Sequence, residues 1–316
     1  MHKHLISIKD LTKKEMDEIF DLADELKKAS AKFGSALKGK MLALIFEKPS
    51  CRTQVSFEVG MYQLGGGSLY LGPEQIKPGL RESIADIART LSRYVDGIAL
   101  RTFAHKNILE MAEYASVPVI NALTDLLHPC QALADIYTIR EKFSGFKAVT
   151  LAFIGDGNNV CHSLLHGCSK AGLNLNIATP EKYSPREEIV KEAVSFAKAS
   201  GSKIKLFNKA KEAAEGADII YTDVWASMGQ EQEARARKRH FNNFQVNKKL
   251  LSSAKEKCLI MHCLPAHRGE EIAEEVIDGP GSIVFDQAEN RLHVQKAILI
   301  QLLKNDNKVT WGQRIA

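Results

Sequence analysis

Met41-Leu42-Ala43-Leu44-Ile45-Phe46-Glu47-Lys48-Pro49-Ser50-Cys51-Arg52-Thr53 reads as a buried strand, a polar turn and the opening of a helix. The apolar run is short and continuous. Beyond the turn, Val55, Val59 and Tyr62 fall on one side of a helical period, so the segment is half of a βαβ unit. The same alternation extends in both directions. Further strands are expected at Ser68 to Leu71, Gly97 to Leu100 and Pro118 to Ile120, with helices starting near Arg52, Ser83, Asn107 and Pro129. A break at Lys142-Phe143-Ser144-Gly145 precedes a second series at Ala148 to Ile154, Asn174 to Ala178, Ile204 to Leu206, Asp218 to Tyr221, Leu259 to Met261 and Ile283 to Phe285. Short strands alternating with helices specify an α/β chain of two domains, each a mainly parallel sheet flanked by helices. The boundary is placed at 143, giving domains 1–143 and 144–316. The stretch from Gln287 has helical spacing at Val294, Ala297, Ile298 and Leu302 and no strand after it, so residues 287–316 are expected to return to the first domain.

The chain has 316 residues, 45% of them hydrophobic and 26% charged, the composition of a globular protein with room for two cores. A net charge of +5 is too small to imply nucleic acid. The basic cluster Arg235, Arg237, Lys238 and Arg239 is interrupted by acids just upstream and is read as a solvated helix face. The six residues Met41 to Phe46 are the longest apolar run, far short of the ~20 that span a bilayer. Met1-His2-Lys3-His4 leads directly into Leu5-Ile6-Ser7-Ile8-Lys9-Asp10 without a signal-peptide pattern, so a cytoplasmic location is expected. Cys51, Cys130, Cys161, Cys168, Cys258 and Cys263 lack a paired C-x-x-C and are expected to be reduced thiols.

Ligands of parallel sheets sit beyond the carboxyl ends of strands, where loops become helix N-termini, and polar residues gather at five such places. Ser50-Cys51-Arg52-Thr53 combines orphan amides, a positive dipole end, hydroxyls and a guanidinium, as an oxyanion requires; an N-cap Ser beside a surface Arg is the alternative. Arg101 ends the strand Gly97 to Leu100 and is either another anion donor or a solubility feature. In His128-Pro129-Cys130-Gln131, Pro129 suits a first helical turn, placing His128 and Gln131 on one side of it. Such a pair matches an amide-like group or is a cap with a solvated neighbour. Gly155-Asp156-Gly157-Asn158-Asn159-Val160 resembles a dinucleotide loop, but Val160 stands at the third glycine and Ala178-Thr179-Pro180 offers no ribose-binding acid. His162 and His166, four apart, lack the glutamate of a zinc protease motif and are read as packed residues. Finally, Asp223 to Gly229 and Met261 to Glu271 are dense in reactive groups. An acid there can hold an ammonium and a thiol can relay a proton; inert core cysteine, or a metal cluster of His262, Cys263 and His267, remains open.

In combination these segments resemble the aspartate and ornithine carbamoyltransferase family over nearly the whole chain. The resemblance rests on Ser50 to Thr53, Arg101, His128 to Gln131, Gly155 to Asn159, Asp223 to Gly229 and His262 to Pro265, in that order. It implies transfer of the carbamoyl group of carbamoyl phosphate to an amine, without metal or cofactor. The first domain would then bind carbamoyl phosphate and the second the amino acid. By resemblance, Ser50, Cys51 through its backbone, Arg52, Thr53 and Arg101 hold phosphate, and His128, Gln131, Cys263, Leu264 and Arg291 complete the carbamoyl pocket. Arg52, Arg101, His128 and Cys263 are the expected catalytic residues. Asn159, Asp223, Ser227 and Met228 would bind the amino-acid end of L-ornithine, with L-citrulline and phosphate as products; Ser227-Met228-Gly229 is what points to ornithine. Another amine such as putrescine, or a noncatalytic metabolite-binding paralogue, is the alternative. The family further implies a homotrimer, acting in arginine biosynthesis or, since the same site runs both directions, in phosphorolysis of citrulline. Two positions depart from its pattern: Cys51 stands where Thr is more usual, and Lys77 where a Gln reaches a neighbouring subunit's carbamoyl phosphate.

Overall fold

The computed structural model describes residues 4–79, 82–226 and 233–304. The chain forms two compact units, one from the described parts of Met1–Ala134 and Arg291–Ala316 and the other from Asp135–Asn290.

In the first unit, α1 (Lys13–Lys28) is followed by β1 (Met41–Phe46), α2 (Cys51–Gln63), β2 (Gly67–Leu71), α3 (Ile84–Leu91), β3 (Gly97–Arg101), α4 (His105–Tyr114) and β4 (Val119–Leu123). The strands make one parallel sheet in the order β2-β1-β3-β4. Helices cover both faces of its centre, so Leu42 to Phe46 and Gly97 to Arg101 are buried in succession, while the edge strand β2 stays partly exposed. One core cluster joins Ala43, Ile45, Ile98 and Leu100 to Ile87 of α3 and Ile108 and Met111 of α4. Helix α1, absent from the sequence reading, opens with a reciprocal capping box between Thr12 and Glu15.

The chain leaves the first unit within α5 (Pro129–Phe143). The second unit then runs through β5 (Thr150–Ile154), α6 (Asn159–Ala171), β6 (Asn174–Ala178), α7 (Glu187–Ser200), β7 (Ile204–Phe207), α8 (Ala210–Ala214), β8 (Ile219–Thr222), α9 (Ala234–Phe241), α10 (Lys248–Leu251), β9 (Leu259–His262) and α11 (Glu274–Ile277). Its strands form a parallel sheet in the order β7-β6-β5-β8-β9. Helix α12 (Val284–Leu303) starts in the second unit and ends in the first. There Lys296 Nζ donates to Gln63 Oε1 at 2.9 Å and Ser30 Oγ at 3.2 Å.

Two expectations differ from the structure, a strand and a solvated residue. The strand expected at Ile283 to Phe285 is the first turn of α12; only a bridge between Ser282 and Ile260 precedes it. Three apolar residues carry no period that separates strand from helix. The passage between the compact units falls at Ala134 and Asp135, and the return begins at Arg291. Both crossings lie inside unbroken helices, where turn residues leave no mark. Arg237, expected on a solvated face, is buried.

Candidate active site

Each sheet has one topological switch point, where the connections leave neighbouring strands in opposite directions: β1 and β3 in the first, β5 and β8 in the second. Such points open a crevice beyond the strand ends, and most of the predicted site residues lie there.

In the first unit, the β1 turn delivers Ser50 as N-cap of α2. Its Oγ accepts from Thr53 N at 3.4 Å and donates to Thr53 Oγ1 at 3.1 Å. Gln54 N starts the helical ladder on the Ser50 carbonyl at 3.0 Å, so the amides of Cys51 and Arg52 precede the ladder, at the positive end of the dipole. Arg291 Nη2, from α12, donates to Thr53 Oγ1 at 2.9 Å. Arg101, at the end of β3, is 7% exposed and donates from Nε to the Lys48 carbonyl at 3.1 Å. Lys48 is itself buried, paired with Asp125 and 4.2 Å from the centre of the Phe103 ring. The turn before α2 is thereby tied to the end of β3.

His128 and Gln131 enter at the start of α5 and are both buried. Burial pushes the His128 imidazole well below its usual 6.5, and the charges of Arg291, Arg101 and Arg52 push it the same way. Burial, with Arg291 and Arg52 adding to it, pulls Arg101 down to about 10. Three guanidinium groups and an imidazole are thus close enough to repel one another, an arrangement that an anion relieves. Arg52 Nε is buried with no hydrogen-bond partner among the described residues. Cys51 is exposed at the first position of α2, where its amide faces the same end of the helix. Lys77 is exposed.

In the second unit, the β5 loop places Asn158 as N-cap of α6, and its Nδ2 donates to Asp223 Oδ2 at 2.7 Å. Asn159 follows as the first residue of the helix. Gly157 exists for packing: a Cβ would lie 2.3 Å from Pro185 N and 2.6 Å from the Tyr183 carbonyl. The glycine loop is explained without a nucleotide. Asp223, one residue beyond β8, accepts from Val224 N at 2.8 Å and from Cys263 Sγ at 3.0 Å, both on Oδ1. Burial pushes the Cys263 thiol well up, and Asp223 pushes it further, so sulfur rests protonated.

At the end of β9, His262 Nδ1 accepts from Leu264 N at 2.9 Å and Nε2 lies 3.0 Å from Glu271 Oε1. This bracket holds Leu264 at φ 56°, a conformation unfavourable for a branched side chain. Asp223, His262 and Cys263 offer donor atoms within 4.8 Å of one another, while His267 groups instead with Glu270 and Glu271; both imidazole nitrogens of His262 are engaged with Leu264 and Glu271. His162 and His166 are packed residues: His162 Nε2 accepts from Arg186 N at 3.0 Å, and His166 Nε2 lies 2.8 Å from Glu192. Ser227 and Met228 lie outside the described residues.

Two family models cover the chain: the carbamoyl-P binding domain of aspartate/ornithine carbamoyltransferase over residues 3–141 and its Asp/Orn binding domain over 147–302. The chain belongs to the aspartate/ornithine carbamoyltransferase family. It is 52% identical over 300 residues to the ornithine carbamoyltransferase of Thermococcus kodakarensis, covering 94% of this chain and 95% of that one. It is also 52% identical over 309 residues to that of Archaeoglobus fulgidus, covering 97% and 99%. Among solved structures, the ornithine carbamoyltransferase from Pyrococcus furiosus matches with a TM-score of 0.92 at 50% identity, over 95% of this chain and 96% of that one.

Beyond the motifs that carry the family likeness, the structure adds Lys48, Asp135, Tyr221 and Gln287 to the surroundings of these groups, and within them it adds Asn158. Asp135 had a signal: it stands seven residues after His128, two helical turns along α5. Lys48 acts through its carbonyl, which leaves no sequence mark.

Proposed function

We propose that this chain transfers the carbamoyl group of carbamoyl phosphate to the δ-amine of L-ornithine, giving L-citrulline and phosphate. The observation that carries the reading is the group of Arg52, Arg101, Arg291 and buried His128 at the N-terminus of α2. Ser50, Thr53, the amides of Cys51 and Arg52, and the guanidiniums hold phosphate. Arg101 and neutral His128 donate to the carbonyl oxygen, on which negative charge grows as the amine attacks, and Gln131 and Leu264 hold the carbamoyl amide. Asn159, Asp223, Ser227 and Met228 hold the amino-acid end of ornithine, turning its δ-nitrogen toward the carbonyl carbon.

A primary amine has a pKa near ~10.4 and attacks only after losing a proton. Cys263 relays that proton: sulfur takes it as the thiol proton passes to Asp223 Oδ1. Phosphate leaves as the tetrahedral intermediate collapses, and no covalent enzyme intermediate, metal or cofactor takes part. The setting is arginine biosynthesis in the cytoplasm, by a homotrimer. In support of this setting, no helix among the described residues is long and apolar enough to cross a membrane, and the motifs match the family along the chain. Sedimentation of the purified protein tests the trimer.

The test of function is citrulline formation by purified protein from carbamoyl phosphate and ornithine, with putrescine and aspartate in parallel. Ornithine is expected to be the preferred acceptor. A preference for putrescine removes Ser227 and Met228 from the acceptor site; heat stabilisation by carbamoyl phosphate without product makes the chain a binding protein.

A further inference from the structure

The carbonyl of Lys48 accepts from Arg101 Nε, but its side chain has no part in the scheme above. Lys48 is 5% exposed, and its ammonium pairs with the carboxylate of Asp125, which lies at the surface. Burying a cation costs free energy unless it is paired and held, and this one spans three loops. Its stem leaves the turn after β1, passes the Phe103 ring with Nζ 4.2 Å from the ring centre, and ends on Asp125. Lys48, Phe103 and Asp125 stand at equivalent places, each two residues beyond the end of its strand, β1, β3 or β4. Their loops carry the anion-site groups: Ser50 and Arg52 follow Lys48, Arg101 precedes Phe103, and His128 follows Asp125. Main-chain bonds join the same loops in pairs. Glu47 N donates to the Arg101 carbonyl at 2.8 Å, Thr102 N to the Leu123 carbonyl at 3.0 Å and Asp125 N to the Phe103 carbonyl at 2.9 Å. The β4 loop also closes on itself, with Thr124 N donating to the Leu127 carbonyl at 2.9 Å and Leu127 N to Thr124 Oγ1 at 3.1 Å. A displacement of Asp125 is therefore passed on to His128. All of these residues belong to the first unit.

We propose that Lys48 is a positioning residue for Arg101 and, through Asp125, for His128. This rests on the reading of Arg101 as a donor to the phosphate and carbonyl oxygen of carbamoyl phosphate. A guanidinium is a rigid planar fork, so the bond from Nε to the Lys48 carbonyl sets the direction of all its donors at once. A carbonyl in a turn is only as fixed as the turn. Here the ion pair and the ring contact of the same residue do the fixing. Lysine suits the task because its hydrocarbon stem is buried along apolar surface while its charged end reaches a partner at the rim.

No substitution removes the Lys48 carbonyl, so the side chain that holds it is the handle. Lys48→Met keeps most of the stem and deletes the charge, and its effect on kcat and on the KM for carbamoyl phosphate is measured with Arg101 intact and in Arg101→Gln. With Arg101 present, kcat is expected to fall about tenfold, the consequence of a donor displaced by a fraction of an ångström. In Arg101→Gln the added change is expected to stay below about twofold, the coupling that a double-mutant cycle isolates. Lys48→Arg, which keeps a cation for Asp125, is expected to recover most of the rate. Asp125→Asn is expected to lower kcat in the same direction and to add nothing to Lys48→Met. Calorimetric binding of inorganic phosphate to the wild type, the two single variants and the double variant reads the same coupling without turnover. There Lys48→Met is expected to weaken binding about fivefold with Arg101 present and to leave it unchanged in Arg101→Gln. If Lys48→Met does not fold, Asp125→Asn, at an exposed position, takes its place in both cycles. Equal losses of rate and of phosphate affinity in the two backgrounds overturn the positioning role. Absence of citrulline from the wild-type reaction overturns the functional reading instead, a separate outcome, and the phosphate cycle then decides whether Lys48 acts through Arg101.

Discussion

Arg237→Met isolates the charge that holds together two loops of the second unit. Arg237 Nη1 donates to Asp156 Oδ2 at 2.8 Å and to the Trp225 carbonyl at 3.0 Å. Its Nε donates to Glu233 at 3.2 Å, and the guanidinium lies 4.7 Å from the centre of the Tyr183 ring. Asp156 belongs to the β5 loop and Trp225 stands two residues after Asp223, so one side chain ties both segments. Methionine keeps much of the stem and removes the charge. Burial pushes Asp156 from 3.8 up to about 6 even though Arg237 pulls it down, with Asp223 and Glu233 adding repulsion. A carboxyl whose pKa is higher folded than unfolded binds protons more tightly in the folded state, so its contribution to stability falls as pH rises through that window. Without Arg237 the folded pKa climbs further and the window extends upward, at ~1.4 kcal/mol for each pH unit. At pH 8 the variant is expected to lose ~3–5 kcal/mol, the usual result of stripping a buried charge of its partner. At pH 5, where Asp156 is mostly protonated in both proteins, the loss shrinks to that of the missing hydrogen bonds, ~1–2 kcal/mol. Urea unfolding at the two pH values measures this, with fluorescence of Trp225, 5.8 Å from Phe241 and stacked on it, as the reporter. An equal loss at both pH values refutes the reasoning.

Two further outcomes concern the anion site. Arg101→Gln removes a charge while leaving an amide to bond, and is expected to lower kcat by ~10²-fold or more and raise the KM for carbamoyl phosphate in steady-state citrulline assays; an unchanged kcat takes Arg101 away from the carbonyl oxygen. His128 is held neutral by burial and by Arg291, Arg101 and Arg52. It therefore takes up its proton in the unfolded chain before the folded one, and stability is expected to fall as pH drops below 6.5. His128→Asn is expected to remove that part of the slope, and NMR titration of the imidazole reads the shift directly; a midpoint at 6.5 or above contradicts it.

The strands of both sheets were legible because central parallel strands are buried on both faces and so form unbroken apolar runs. Leu42 to Phe46 and Leu151 to Ile154 are examples. Edge positions and helix starts shifted by a residue or two: β4 begins at Val119, and α4 begins at His105 instead of Asn107. The start of α12 was misread because Ile283 to Phe285 is too short to express a period. Ser50, Arg52, His128 and Asp223 could be named from sequence because each follows a strand and bears a group suited to charge. Tyr221 could not, since an aromatic within a strand reads as core and its hydroxyl finds Asp135 across 86 residues of chain. The burial of Arg237 was equally hidden. A helix rich in Arg and Lys has the composition of a wet face, and only the position of Asp156 turns one of those residues inward.

Opposite charges are sorted along the chain, and this sorting suits the two substrates. Besides burial, guanidinium charge acts on His128 and Arg101. What acts on Cys263 besides burial is carboxylate charge, offset by the Tyr221 hydroxyl. Within each set the charge has one sign, and a field of one sign suits a ligand of the other: positive for a phosphate dianion, negative for an ammonium group. The arrangement has an energetic corollary. Like charges held together destabilise the free protein, so part of the binding energy of the anion is relief of repulsion already present. Carbamoyl phosphate should accordingly stabilise the folded chain more than its few phosphate contacts suggest, and more strongly at low ionic strength than at high, because exposed parts of that field are screened by salt.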